Sequence, residues 1–203
     1  MIIDPEALSA RERYRLLIST VVPRPIAWVS SMDKAGNLNL APFSYFTAVC
    51  STPLTLLFCP AVSATTGQKK DTLQNIEENP EFVINLVNEA NAAAMNQTAA
   101  LLPRDQSEFE FAGLTPIPSE TIGVPRVAEA PIAYECTLQQ IVTVSEAPGG
   151  GAAVFGEVQR IHVSDELYAE GVVRLEAFRP IGRLGGSGYV RVTDTFQLER
   201  PKV

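Results

Sequence analysis

The sequence predicts a mainly β protein in which antiparallel strands form a closed or half-closed barrel with a few short helices. Three observations support this fold class. Runs rich in β-branched and aromatic residues recur along the chain between turn-forming glycines, prolines and asparagines. The helical segments are short, and they do not alternate regularly with the strands, as parallel βαβ units would require. A length of 203 residues suits one domain with one core.

The N-terminal region predicts one helix and the first two strands. Residues 4–17 have the composition of a helix. Residues 26–31 and 39–45 are predicted strands, and residues 33–37 between them form a turn. Gly36 is expected to supply the left-handed backbone conformation that such a turn needs.

The next region places short helices between strands. Residues 54–59 (LTLLFC) are continuously apolar, which predicts a strand buried on both faces. Residues 71–78 (DTLQNIEE) predict a helix, with Asp71 as the candidate N-cap. A strand over residues 81–87 follows, and the alanine- and asparagine-rich residues 89–100 predict another helix.

The second half of the chain predicts a long hairpin. The turn PGGG at residues 148–151 separates the runs YECTLQQIVTVS and AAVFGEVQRIHVS, both rich in β-branched residues. Residues 164–169 are expected to form a short turn of helix.

Charge and hydropathy exclude several classes of function. The chain has 16 Lys and Arg residues against 23 Asp and Glu, a net charge of −7, whereas a general nucleic-acid binder needs a basic surface. Residues 48–62 are the most apolar stretch, and two prolines interrupt it well short of a membrane span. The N-terminus lacks the apolar core of a signal peptide, so we expect no membrane partner and a cytoplasmic protein.

Cysteine and histidine are sparse. The three cysteines form no CxxC pair, and the chain has no HExxH or GxSxG motif. We therefore expect no disulfide framework and no metal site, and we regard hydrolase chemistry as improbable. The single histidine, His162, lies in an alternating strand, where a structural role is more common than a catalytic one.

The first candidate binding segment is NLNLAPFSYF, residues 37–46. Pro42 cannot donate a hydrogen bond, so the strand is expected to be distorted or to lie at an edge. Its free backbone groups can bond the polar edge of a flat heterocycle, with Tyr45 and Phe46 giving apolar contact. The alternative is a core strand with a proline bulge, and composition alone favours that alternative.

The second candidate segment is TTGQKKDTLQN, residues 65–75. It is cationic and opens a helix, whose free N–H groups and positive dipole end favour an anion. A phosphate there can be held by Lys70, by the Thr72 hydroxyl and by backbone amides. The alternative is a solvated loop in which Asp71 caps its own helix.

The third candidate segment is the glycine-rich RLGGSGY, residues 183–189. It lacks the Lys-Ser/Thr of a Walker motif and does not open a helix, so it is not a phosphate loop of that kind. A turn leading into a strand is the simpler interpretation. Arg183 and Tyr189 are polar enough to reach a ligand.

Five pieces of the chain, in this order and spacing, resemble the flavin reductase-like family, the FMN-binding split-barrel proteins related to flavoredoxin. They are PRPIAWVSSMDKAGNLNLAPFSYFTAVCSTP, KKDTLQNI, EFVINLV, FGEV and RLGGSGY. The resemblance covers about residues 13–200. It implies that residues 1–203 form a single FMN-binding split-barrel domain with Greek-key antiparallel strands. It also implies a homodimer with the flavin near the subunit interface.

The resemblance also assigns the flavin site, although it assigns no catalytic residue. Residues of the first candidate segment would face the isoalloxazine and ribityl chain, those at the helix start would hold the phosphate, and the glycine turn would approach the flavin, from either subunit. These cofactor-binding residues are Asn39, Leu40, Ala41, Ser44, Tyr45, Phe46, Lys70, Asp71, Thr72 and Tyr189. Arg24 is implied as a further cation close to the phosphate.

The implied activity is that of an oxidoreductase, in which a hydride passes from NAD(P)H to flavin N5. The protein would act as a flavin reductase or as a flavin electron carrier that supplies an acceptor protein. No GxGxxG motif follows a strand, so the nicotinamide is expected to bind transiently rather than in a Rossmann site. Two alternatives stay open: an FMN-binding storage or sensor protein without nicotinamide turnover, and a cofactor-free barrel used for protein contacts.

Overall fold

A computed structural model of the protein describes residues 1–201. Its α-helices are α1 (Ala10–Thr20), α2 (Asp71–Glu78), α3 (Ala92–Gln97), α4 (Glu108–Phe111) and α5 (Leu175–Phe178), with 3-10 turns at Pro5–Ala7 and Asp165–Leu167. The strands are β1 (Ala27–Met32), β2 (Leu38–Phe43), β3 (Phe46–Ser51), β4 (Leu54–Phe58), β5 (Glu81–Leu86), β6 (Pro116–Ile117), β7 (Arg126–Val127), β8 (Ile132–Ser145), β9 (Gly151–Val163), β10 (Tyr168–Ala169), β11 (Val172–Val173), β12 (Ile181–Arg183) and β13 (Tyr189–Arg191).

Seven strands form one antiparallel sheet in the order β2-β1-β5-β8-β9-β4-β3. The sheet curls round its core, because residues of β2 and β4 meet although four strands lie between them in that order. The rings of Phe43 and Phe58 are 5.1 Å apart, and Phe58 lies 5.6 Å from the ring of Phe82 on β5. The outermost strands β2 and β3 are consecutive in the chain but do not pair, so the barrel is half-closed. The predicted antiparallel barrel is confirmed.

A second apolar cluster covers the outer face of the sheet. Trp28 of β1 and Leu40 of β2 are fully buried there against Met95 of α3 and Phe109 of α4. The indole N–H of Trp28 donates a hydrogen bond to Thr98 Oγ1 at 2.9 Å. The two faces of β1 and β2 are therefore both packed, which fixes the position of β2.

The long hairpin β8–β9 is present as predicted. One position shows why glycine is needed in it: a Cβ on Gly156 would lie 2.4 Å from the ring of Phe82. The predicted turn at Gly36 is also confirmed, with φ +91°. In β4, the neighbouring side chains of Thr55 and Leu56 are both buried, as the apolar run predicted.

Several predicted boundaries are wrong. The helix predicted over residues 4–17 begins instead at Ala10, because Ser9 and Glu12 form a capping box. The strand predicted over residues 39–45 ends at Phe43, and β3, which the sequence analysis missed, begins three residues later. The helix predicted over residues 89–100 is limited to α3.

Asp71 is not the N-cap of α2. Lys70 occupies that position with extended backbone angles, and no side chain caps the helix. Asp71 is the first helical residue, where its negative charge still faces the positive end of the helix dipole. Within residues 1–201, no helix combines the length and the hydropathy needed to cross a membrane.

Candidate functional site

One end of β2 is fixed to the start of α2 by buried polar side chains. The amide nitrogen of Asn39 donates to Thr72 Oγ1 at 2.8 Å and to Ser31 Oγ at 3.2 Å. Asn75 donates to the same Ser31 hydroxyl at 3.2 Å. The structure thus brings together residues of the first two candidate segments. We call Asn39, Lys70, Asp71 and Thr72 the helix-start corner.

The helix-start corner has the features of an anion site. The first N–H groups of an α-helix have no acceptor within the helix, and the dipole places positive charge there. Lys69 forms an ion pair with Glu77 at 2.7 Å, whereas no ion pair involves Lys70 among the residues that the structure describes. Lys70 is half-buried and stands at the N-cap of α2, so its ammonium group is available to a ligand.

Three predicted contact residues are buried, and Asn39, which is 9% exposed, is the least buried of them. Leu40 is fully buried in the outer cluster, and its N–H donates to Glu108 Oε2 at 2.9 Å. It therefore offers no surface to a ligand in this conformation, and we leave it out of the proposed site. Thr72 is 1% exposed, and its hydroxyl already accepts the hydrogen bond from Asn39. Its place is behind Asn39, as a support.

The other end of β2 meets a buried arginine. Arg24 is 6% exposed, and its Nε donates to Ser44 Oγ at 3.2 Å. Its guanidinium lies 5.9 Å from the centre of the Tyr45 ring. We call Arg24, Ser44 and Tyr45 the arginine corner. The hydrogen bonds of Arg24 within residues 1–201 include none to Lys70 or Thr72, so its position near a phosphate stays a prediction.

The two corners are separated by the length of β2. At about 3.3 Å per residue, Asn39 and Ser44 are about 16 Å apart along the strand. Between and beyond them, Ala41, Tyr45 and Phe46 are half-buried. Strand β2 thus has a cationic residue near each end and partly exposed apolar side chains beside it.

Tyr189 belongs to a different contact. Its hydroxyl donates to Asn96 Oδ1 at 3.1 Å, and its ring lies 4.5 Å from the guanidinium carbon of Arg183. The glycine turn does lead into a strand, as predicted. Arg183 also exchanges backbone hydrogen bonds of 3.0 and 2.8 Å with Arg24, so this hairpin adjoins the arginine corner. Within residues 1–201, no hydrogen bond joins Tyr189 to residues 39–46.

The sequence analysis missed two residues near the helix-start corner. Glu108 is buried beneath β2, and burial raises the pKa of its carboxyl although the N–H of Leu40 opposes that shift. Arg104 donates to Gln74 and Asn75 on α2, with distances of 2.6 and 2.9 Å. Both residues lie far from β2 in the sequence, outside every motif, so no local pattern marks them.

His162 has the structural partner that its strand position suggested. Its Nε2 lies 2.5 Å from Oε1 of Glu135, a carboxylate with no exposed surface. Glu135 also accepts hydrogen bonds from the N–H groups of Glu120 and Thr121, each at 2.7 Å. Burial by itself raises the pKa of Glu135, but these donors together lower it to about 2.

Comparisons with known proteins agree with this geometry. The chain shares its fold with a Shewanella frigidimarina protein described as a flavin reductase with a split barrel domain (24% identity, TM-score 0.83, 99% of this chain and 100% of that one). It is 40% identical to nitrilotriacetate monooxygenase component B from Bacillus cereus, with a TM-score of 0.93 over 98% of each chain. It is 37% identical to a 2-nitrobenzoate 2-nitroreductase from Pseudomonas fluorescens, with a TM-score of 0.89 over 99% of this chain and 96% of that one.

The fold is therefore a split barrel of the kind found in flavin reductases. A family model described as "Flavin reductase like domain" matches residues 19–180, and the chain belongs to that family. The protein is a flavin reductase-like oxidoreductase, which confirms the resemblance seen in the sequence. The donor set of the site fits a flavin nucleotide, with a helix start and Lys70 for a phosphate and hydroxyl, backbone and aromatic groups for a ring.

Proposed function

We propose that this protein takes a hydride from NADH or NADPH and passes it to FMN held along β2. The observation that carries the proposal is the position of β2, which connects the start of α2, with Lys70 at its N-cap, to the arginine corner. FMN has one phosphate at the end of its ribityl chain and a polar ring edge at the other end. In the same way, the helix-start corner offers N–H groups and a lysine to a phosphate, whereas the arginine corner offers a guanidinium, a hydroxyl and an aromatic ring to the flavin ring.

The residues of the site have distinct tasks in this proposal. Lys70 and the first N–H groups of α2 bind the phosphate. Asn39 orients the ribityl chain and is itself held by Thr72. Ala41, Ser44, Tyr45 and Phe46 line the ring and keep water from one side of it. The bound flavin supplies the hydride chemistry, so none of these side chains needs to act as an acid or a base.

Two copies of the chain are proposed to form the working unit. Several large apolar side chains are strongly exposed in the single chain, including Tyr14 on α1, Val49 on β3 and Phe196 near the C-terminus. Exposed apolar surface of this kind is typical of interfaces. A homodimer would cover it and also cover β3, one of the two edge strands of the sheet.

The electron acceptor is proposed to be a second protein. Nitrilotriacetate monooxygenase component B, which is 40% identical over almost the whole length, is by its name one component of a larger enzyme.

The three cysteines are unpaired thiols, which suits the reducing cytoplasm proposed as the compartment.

An absorbance spectrum followed by anaerobic titration tests the proposed function. The purified protein, reconstituted with FMN or FAD, should retain FMN after gel filtration and lose its flavin absorbance when NADH or NADPH is added. Bleaching by one nucleotide identifies the donor. Bound flavin that neither nucleotide bleaches would favour the storage or sensor alternative, and a colourless protein would overturn the site.

Lys70→Ala tests the phosphate assignment separately. Loss of a hydrogen bond to a charged group should weaken FMN binding by roughly 1–3 kcal/mol, measured by fluorescence titration. Lys34→Ala is the matched control, because Lys34 is an exposed lysine in the turn after β1 and should leave the affinity unchanged. The same affinity in both variants would show that the phosphate lies elsewhere. Riboflavin, which lacks the phosphate, should bind wild type and Lys70→Ala equally well.

A further inference from the structure

Arg24 is a buried cation that has no carboxylate partner among residues 1–201. Its guanidinium donates to four neutral oxygens: Ser44 Oγ, and the backbone oxygens of Ile18, Val21 and Leu184 at 3.0, 2.9 and 3.1 Å. None of the ion pairs formed within residues 1–201 includes Arg24. A guanidinium has five N–H donors, so these contacts use four of them.

The titratable groups near Arg24 do not neutralise it. Tyr45 is the nearest, and Tyr14 and Cys59 lie close to Tyr45. Burial raises the pKa of Tyr45 and of Cys59, so both stay uncharged at neutral pH. No carboxylate within residues 1–201 forms an ion pair with Arg24.

A structural role accounts for only part of the charge of Arg24, because Arg24 lies at the negative end of the α1 dipole, which corresponds to about half an elementary charge. The carbonyls of Ile18 and Val21 end α1, and a side chain that donates to them stabilises the helix end. Neutral donors can bond these oxygens without the cost of burying an ion, which is several kcal/mol when no opposite charge is present. A buried charge without a partner is expected where a ligand brings the opposite charge.

We propose that Arg24 faces the negative charge that reduction places on the flavin ring. The inference rests on the proposed function, because it requires the ring of the flavin at the Ser44 end of β2. A hydride carries two electrons and one proton from the reduced nicotinamide, which becomes oxidised. The flavin ring thereby gains one negative charge. The phosphate is an unsuitable partner for Arg24, because the helix-start corner provides its site at the other end of the strand.

The first test compares flavin affinity in the oxidised and reduced states. The ratio of the affinity for reduced FMN to the affinity for oxidised FMN should be at least about tenfold lower in Arg24→Gln than in wild type. Tenfold corresponds to a midpoint potential about 30 mV lower for a two-electron couple. Arg24→Lys keeps the positive charge and should retain most of the wild-type preference. Arg13→Gln, which removes an exposed arginine of α1, is the control for net charge and should retain all of it.

A second measurement uses only the wild-type protein, in case Arg24→Gln does not fold. Each proton taken up with two electrons changes the midpoint potential by about 30 mV per pH unit. Free reduced FMN takes up a second proton as the pH falls, and the slope then doubles. A cation at the ring opposes that second proton. The pH at which the slope doubles should therefore be at least about one unit lower for bound FMN than for free FMN in the same buffer. One pH unit corresponds to a tenfold lower affinity of the reduced ring for the second proton.

The outcomes separate this inference from the proposed function. If no flavin binds, both fail. If FMN binds but Arg24→Gln keeps the wild-type preference for reduced FMN, the proposed site stands and the role of Arg24 is wrong. If the slopes for bound and free FMN double at the same pH, the role of Arg24 is likewise overturned.

Discussion

Two charged residues of this molecule, Glu135 and Arg24, are buried, but the groups that surround them differ. Glu135 has no exposed surface, and His162, the N–H groups of Glu120 and Thr121 and the Thr121 hydroxyl surround its carboxylate. Arg24 is almost as deeply buried, but only neutral oxygens surround it. Glu135 is satisfied by the chain itself, whereas the charge of Arg24 is not.

The difference indicates what each residue does. Glu135 lies on β8, and three of its four hydrogen bonds come from residues 120 and 121, between β6 and β7. It holds that loop to the barrel, and its interactions are complete without a ligand. Arg24 joins α1, β2 and Leu184, and its charge remains available. A complete polar network is part of the fold, while an incomplete one is a candidate binding site.

The largest expected effect is on stability at Glu135. Glu135→Gln removes the charge and replaces one accepting oxygen with a donor, so buried N–H groups lose their acceptor. We expect the free energy of unfolding, measured in urea at pH 7, to fall by about 3–5 kcal/mol. Glu110→Gln, an exposed change on α4, should alter it by no more than about 0.5 kcal/mol. Equal stability of the two variants would break the comparison.

The pH dependence of stability should show the same carboxylate. The pKa of Glu135 is lowered from 4.5 to about 2 in the folded protein, so its contribution is complete above pH 4.5. As the pH falls from 4.5 to 2, the unfolded chain gains a proton that the folded chain does not, and the contribution is lost. The loss amounts to about 3 kcal/mol. Urea unfolding at several pH values should show this loss in wild type but not in Glu135→Gln.

A smaller effect is expected from Arg24→Gln in the absence of flavin. The variant loses hydrogen bonds to the carbonyls that end α1, but it also removes an unpaired buried charge, and the two changes partly offset each other. We expect a loss of about 1 kcal/mol in urea unfolding of the apo protein. A loss of unfolding free energy as large as that of Glu135→Gln would mean that the interactions of Arg24, like those of Glu135, are complete without a ligand.

Much of the fold could be predicted from local sequence. The long hairpin, the turn at Gly36 and the helix at residues 71–78 follow from turn residues and periodicity, which act over a few positions. Strand β3 was missed because its residues 47–51 are exposed and carry no alternating pattern. The start of α1 was misplaced because the pair Ser9 and Glu12 selects a later start than composition suggests.

The site was predicted in part, and its untested assignments remain proposals. Asn39 and Thr72 were chosen from two separate segments, and the structure joins them by a hydrogen bond. Leu40 was predicted to contact the flavin although its side chain lies on the opposite face of β2 from those of Asn39 and Ala41. That face is buried because α3 and α4 pack against it, which the sequence of β2 does not show. Glu108 was missed for the same reason: its contact with Leu40 joins residues 68 positions apart.

The sequence by itself determined the class of fold and the family, because hydrophobic alternation, turn residues and motif order are local properties. Only the tertiary structure decided that Arg24 contacts the Ser44 end of β2, that groups of the chain itself hydrogen-bond Glu135 and that Leu40 is buried. Each of these depends on which distant groups surround a side chain. Burial and charge compensation are set by packing between elements, and no segment of the chain encodes them alone.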